Sequence, residues 1–144
     1  MRFFGLSWSL GRLRGVDIRF HFSMLFSIPI AYYLFDPIDL RGVVEALLWL
    51  VGFTIFILLH EVGHAFAAQM VGVEVKSIVV WLLGGLTNLA YKPEKPAHNL
   101  FVYAAGPLMN MLLAFLCVAA YILTAMLFLP FSKDSQTYIW IQTF

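Results

Sequence analysis

Apolar positions along this chain gather into three long runs, separated by polar stretches that contain proline and glycine. The longest, residues 100–129, holds no charged side chain, and its clearly polar members are Asn110 and Thr124. As one helix it would extend about 45 Å, against a hydrocarbon core of about 30 Å. Gly106-Pro107 is the place to shorten it, because proline suits a helix's first turn and kinks a helix interior. The pattern predicts a span over 107–129, with 97–106 entering or prolonging it. The second run predicts a helix over 43–70, without charge from Ala46 to Leu59 and stopped by Gly72. The first run, 20–35, is closed by Asp36-Pro37. It is near the lower length limit for a span and can tilt or bend at Pro29. Residues 138–144 read as the start of a fourth apolar segment.

Between the second and third runs the period changes. Val73-Glu74-Val75-Lys76-Ser77-Ile78 alternates apolar and polar positions, as a half-exposed strand does. An apolar stretch to Leu83, the pair Gly84-Gly85 and a second short stretch to Ala90 follow. This predicts a β-hairpin or a re-entrant segment. Non-helical backbone survives at membrane depth only where protein buries it or it lines a wet cavity, so the segment points to a site nearby. The predicted class is an all-α polytopic membrane protein of three to four helices, with that short hairpin between the second and third.

Composition agrees. The chain has 144 residues, 62% hydrophobic and 12% charged, where a soluble domain carries about 45–50% and about 25%. A soluble globule, a disordered chain and a nucleic-acid binder are thereby disfavoured. One cysteine, Cys117, excludes an intrachain disulfide framework and a cysteine-based zinc knuckle. The length suits a single membrane domain, residues 1–144, with 1–19 as an interfacial lead-in carrying Trp8 and arginines. No cleavable signal peptide is visible, since the apolar stretch 3–10 is too short. Arg2, Arg12, Arg14 and Arg19 precede the first run, and Lys76, Lys92 and Lys95 follow the second, whereas Arg41 and Lys133 stand alone in the other two flanks. Seven basic residues against two predict a cytoplasmic N-terminus and a cytoplasmic 71–99 segment.

The second run also carries His60-Glu61-Val62-Gly63-His64. Residues four apart lie on one helix face, so both imidazoles can reach one metal ion. Glu61, at an adjacent angle, can take a proton from water and pass it to a leaving amine. Zinc suits the pair because imidazole is a good ligand and the ion makes water acidic near neutral pH. Shuffling this composition gives H-E-x-x-H in roughly three of a thousand chains. Ionisable groups inside an apolar helix are expensive and mark function. Counted from Val43, His60 lies about 25 Å along the helix, toward the cytoplasmic end, so a cytoplasmic water cavity is implied.

These residues resemble the site-2 protease family of intramembrane zinc metalloproteases. The resemblance rests on residues 55–72, with FILLHEVGHAFAAQMVG at their core, and on three flanking elements in matching order. Gly15-Val16-Asp17-Ile18-Arg19-Phe20-His21 is similar to the family's lead into its first helix. Gly84-Gly85 is similar to its glycine pair beside the substrate cleft. Ala105-Gly106-Pro107-Leu108-Met109-Asn110 is similar to the element opening its next helix. The likeness covers roughly residues 11–144. It implies a bacterial or archaeal integral membrane protease that cleaves transmembrane or membrane-associated substrates, commonly regulators such as anti-sigma factors, with His60 and His64 on zinc and Glu61 activating water. The family's third zinc ligand is an aspartate in a later helix, which this sequence does not reach. The expectation is a truncated part of a longer protease, the other reading being an incomplete relative.

Among the remaining candidates, Gly84 and Gly85 serve either as a turn or as backbone that pairs with an extended substrate. Asn88 either donates to substrate backbone or caps a loop. Asn110 is expected to bond a neighbouring helix, His21 to cap or snorkel, and His98 to be solvated. Two other functions stay open: a catalytically incomplete relative that holds partner helices, and a small carrier using His/Glu as a proton relay. Lipid and a membrane protein substrate are the implied partners, and homo-oligomerisation is undetermined by the sequence.

Overall fold

The structure, a computed structural model, describes residues 5–128. It is mostly helical, with two long apolar helices and a small sheet. The chain divides into two units, residues 1–110 and residues 111–144.

In the first unit, β1 (Ser7–Leu13) and β2 (Val16–His21) form an antiparallel hairpin. The Arg14–Gly15 turn has φ of 50° and 85°, and a pair of positive φ angles gives a two-residue hairpin the twist of its strands. Residues 7–13 and 16–21 of the expected lead-in are thus strands. The cause is visible in β2, where Val16, Ile18 and Phe20 alternate with Asp17, Arg19 and His21. The apolar set joins the core or packs on it at Val16 and Phe20. On the polar face, Arg19 pairs with Asp17 and donates to Ser7. His21 caps a short 3-10 helix, Phe22–Phe26, by accepting from the Ser23 amide. Helix α1 (Ser27–Phe35) follows, with nine residues. Together with the 3-10 turn it makes one apolar helical segment, Phe22–Phe35, shorter than the two long helices, and it carries the chain from the sheet to the start of α2 within the expected first run, 20–35.

Helix α2 (Leu40–Met70) has 31 residues. Asp36, in the left-handed region at φ 39°, ends α1. The Asp39 carboxylate then accepts the Gly42 N–H at 2.8 Å and caps α2. At the other end Gly72, φ 81°, lets its amide reach Gln69 O while the Val73 amide reaches Ala68 O. Those two bonds satisfy the helix's last carbonyls.

The chain returns as β3 (Val75–Trp81) and β4 (Gly84–Leu89), the antiparallel hairpin that the alternation at 73–78 announces. β3 runs parallel to β2, so the sheet order is β1-β2-β3-β4 with β4 at an edge. Ala65, Ala67 and Ala68 give α2 a low profile, and Val16, Val75, Ile78 and Val80 share the core with them. β4 lies against α2 and touches the His-Glu-His turn through Thr87.

Helix α3 (Pro96–Phe128) contains Pro107 without interruption. The expected shortening at Gly106-Pro107 therefore does not occur. Apolar helices tolerate an internal proline where neighbouring groups re-satisfy the freed carbonyls. Residues 96–110 belong to the first unit, where Val102 enters the core. In the second unit the described helix shows Met111, Phe115, Tyr121 and Met126 outward. α2 and α3 are both long and apolar enough to cross a membrane, at mean hydropathy 2.3 and 2.1. Their outward apolar side chains suit lipid rather than water. The expected fourth segment, 138–144, lies outside the described residues.

Candidate metal centre

The site stands on one turn of α2. His60 and His64 turn their Nε2 atoms to within 3.1 Å of each other, and with the Glu61 carboxylate their ligand atoms all lie within 4.8 Å. Each ring's tautomer decides what it can do. His64 Nδ1 sits 2.7 Å from the Val102 carbonyl of α3. A carbonyl only accepts, so Nδ1 carries the hydrogen and the neutral ring's lone pair is on Nε2. That is the arrangement by which a carbonyl behind a metal-ligating imidazole fixes its direction. His60 Nδ1 is buried and has no partner among the described residues.

Glu61 is 5% exposed. Its Oε2 accepts the Thr87 hydroxyl of β4 at 2.7 Å, and the same hydroxyl lies 3.1 Å from the Glu61 main-chain oxygen. No ion pair among the described residues includes it. A carboxylate removed from water requires a compensating charge or several hydrogen bonds.

Two glycines make room for these side chains. A Cβ on Gly106 would stand 2.3 Å from His64 Nε2 and 2.6 Å from His60 Nε2. A Cβ on Gly85 would stand 2.2 Å from Glu61 Cγ. The helices meet as closely at Gly63, where a Cβ would be 2.7 Å from the Ala105 carbonyl. Two cavities flank Glu61. One, of about 200 Å³, also touches His64, Gly85, Thr87, Val102 and Tyr103. The other, of about 330 Å³, also touches His60, Gly84, Gly85, Phe53 and Asn110.

These features fit a divalent cation. Two imidazole nitrogens converge on a spot kept free of side-chain carbon by Gly106, and an otherwise uncompensated carboxylate stands beside them.

The structure thus brings together His60, Glu61, His64, Gly84 and Gly85. Asn88 is engaged elsewhere, its side-chain amide donating to Ser77 Oγ at 2.8 Å. Three contributors escaped the sequence reading: Thr87, the Val102 carbonyl and the space at Gly106. Thr87 was within reach, since it lies two residues from Gly85 and so shares its face of the strand. A main-chain carbonyl behind His64 has no side-chain signature.

Known proteins similar to this chain identify its family. The sequence model of peptidase family M50 matches residues 48–142. Rip3 of Mycobacterium tuberculosis, named as a zinc metalloprotease, is 31% identical over 116 residues, 73% of this chain and 29% of that protein. An Arabidopsis thaliana protein named membrane-bound transcription factor site-2 protease homolog is 30% identical over 132 residues, 83% of this chain and 25% of its own length. The solved structure of the site-2 protease from Methanocaldococcus jannaschii superposes with TM-score 0.58 at 23% identity, covering 80% of this chain and 52% of that one. The chain therefore spans about a quarter of the curated relatives it matches. It is a membrane protein, its likeness to the site-2 proteases holds in sequence and in fold, and the chain belongs to peptidase family M50.

Proposed function

We propose that this chain carries the His-Glu-His part of an intramembrane zinc endopeptidase centre, acting on peptide bonds in or near transmembrane segments of membrane-bound regulatory proteins. The observation that carries the reading is the pair of Nε2 atoms 3.1 Å apart beside a buried carboxylate, on a helix apolar enough to cross a membrane. His60 and His64 hold the ion, and zinc when bound supplies a Lewis acid that polarises a peptide carbonyl and acidifies water. Glu61 is the general base: it takes a proton from water and returns it to the departing amine. Thr87 holds one carboxylate oxygen and leaves Oε1 beside Gly85. With Glu61 in that role the described residues supply two ligands, and a catalytic zinc requires a third protein donor from outside them.

β4 is an edge strand and Gly85 faces Glu61. An unwound substrate segment adds to such an edge by main-chain hydrogen bonds, and the missing side chain at Gly85 brings its carbonyl close to the carboxylate. Asn88 then supports the sheet rather than the substrate. The excess of basic residues up to the end of β2 and between α2 and α3 supports a centre that opens toward the cytoplasm, where water is available. Lipid surrounds α2 and α3.

The test is Glu61→Gln in the protein as encoded, assayed with a membrane-embedded substrate. Zinc content unchanged and cleavage reduced at least a hundredfold support the reading. Equal cleavage removes Glu61 from the chemistry. A protein that binds zinc and retains partner helices without cleaving in either form is the incomplete relative instead.

A further inference from the structure

Two imidazoles flank the candidate ion, yet they are supported unequally. His64 has its Nδ1–H on the Val102 carbonyl. His60 Nδ1 is buried and unpartnered among the described residues. If His60 presents Nε2 to an ion, its Nδ1 carries the hydrogen and needs an acceptor, because a buried donor without one loses its hydrogen bond to water and gains none in return. One other buried side-chain atom in the described residues lacks a partner, and it is an acceptor: Asn110 Oδ1. His60 and Asn110 line the same cavity of about 330 Å³.

Helix geometry explains the coincidence. Val102, Gly106 and Asn110 follow one another at intervals of four along α3 and share one face. Gly106 stands against both imidazoles, and Val102 supports His64. Gly63 of α2, between the two histidines, meets Ala105 and Met109. Asn110, one turn beyond Gly106, comes beside His60 as Val102, one turn before it, comes beside His64. The other polar side chain in that cavity is Glu61. It follows His60 directly, and adjacent helical residues do not face each other. Its Oε2 already accepts from Thr87.

We propose that Asn110 is a positioning residue for His60: its side-chain oxygen accepts the His60 Nδ1–H through one water in the shared cavity, and so turns the Nε2 lone pair toward the ion. The cavity has room for a water, whose share of liquid volume is about 30 Å³. The inference rests on the zinc reading of His60 and His64.

The experiment measures zinc affinity of the purified, detergent-solubilised protein by chelator competition, for wild type, Asn110→Leu, Asn110→Asp and His64→Ala. Leucine keeps the volume and loses the acceptor, so affinity is expected to fall about 10–100-fold. Aspartate keeps an acceptor and is expected to bind at least as well as wild type. ¹⁵N shifts of the His60 ring, read at one fixed free-zinc level, report the tautomer independently: Nδ1–H with Nε2 on the metal in wild type and Asn110→Asp, and a mixture in Asn110→Leu. Zinc bound equally by Asn110→Leu, with an unchanged His60 signal, overturns the inference and leaves the zinc reading intact. Wild type that binds no more zinc than His64→Ala overturns the zinc reading itself. Loss of affinity in both Asn110 variants, with thermal stability unchanged, also counts against the proposal, because the acceptor is then not what matters.

Discussion

At the residue scale the site depends on what is left out. Gly106 and Gly85 stand where any Cβ would enter the space of His60, His64 or Glu61. Gly106→Ala is therefore expected to reduce zinc uptake by more than tenfold while helix content, read by circular dichroism, stays near wild type. Thr87 offers a gentler test. Thr87→Val preserves shape and removes the hydroxyl on Glu61 Oε2. A hydrogen bond to a charged group is worth roughly 1.5–3 kcal/mol, so cleavage is expected to fall about tenfold or more at unchanged zinc content. The histidines and Glu61 were legible in the sequence because ionisable groups stand out in an apolar helix. The groups behind them were not: the Val102 carbonyl and the space at Gly106 leave no chemical signal until the two helices are brought together, whereas Gly85 stood out as one of a glycine pair.

At the element scale the fold depends on close crossings and clean helix ends. Gly63 brings α2 to van der Waals limits against Ala105, and that contact holds α3 where Val102 can reach His64. Gly63→Val is expected to destabilise the protein by roughly 1–3 kcal/mol, as overpacking does, and to weaken zinc binding with it; thermal unfolding in detergent measures the first. Gly72→Ala, at φ 81°, perturbs only the end of α2. The left-handed region costs a non-glycine residue about 1 kcal/mol, so this variant is expected to lose stability and keep zinc. The alternation at 73–78 and the stop at Gly72 gave β3 and the end of α2 in advance. The same alternation at 16–21 was hidden by aromatic and apolar residues that continue into a longer run, so β2 was read as the approach to a span. Pro107 misled in the opposite direction, because in an apolar helix its lost hydrogen bond need not end the helix.

At the scale of the whole molecule, α2 and α3 are long and apolar enough to cross lipid, and the sheet packs on the alanine-rich end of α2. Cys117 lies in the described part of α3 beyond residue 110, exposed on the helix surface. If that surface faces acyl chains, a charged maleimide added to intact membranes leaves Cys117 unlabelled and modifies it after denaturation in SDS; labelling in intact membranes contradicts the span. The central claim is narrower, and one measurement reaches it most directly. Metal analysis of the purified membrane protein, wild type beside His60→Ala and His64→Ala, is expected to give one zinc per chain in the first and less than a tenth of that in each variant. A wild type without stoichiometric metal, or variants that keep it, would contradict a metal centre built on His60 and His64.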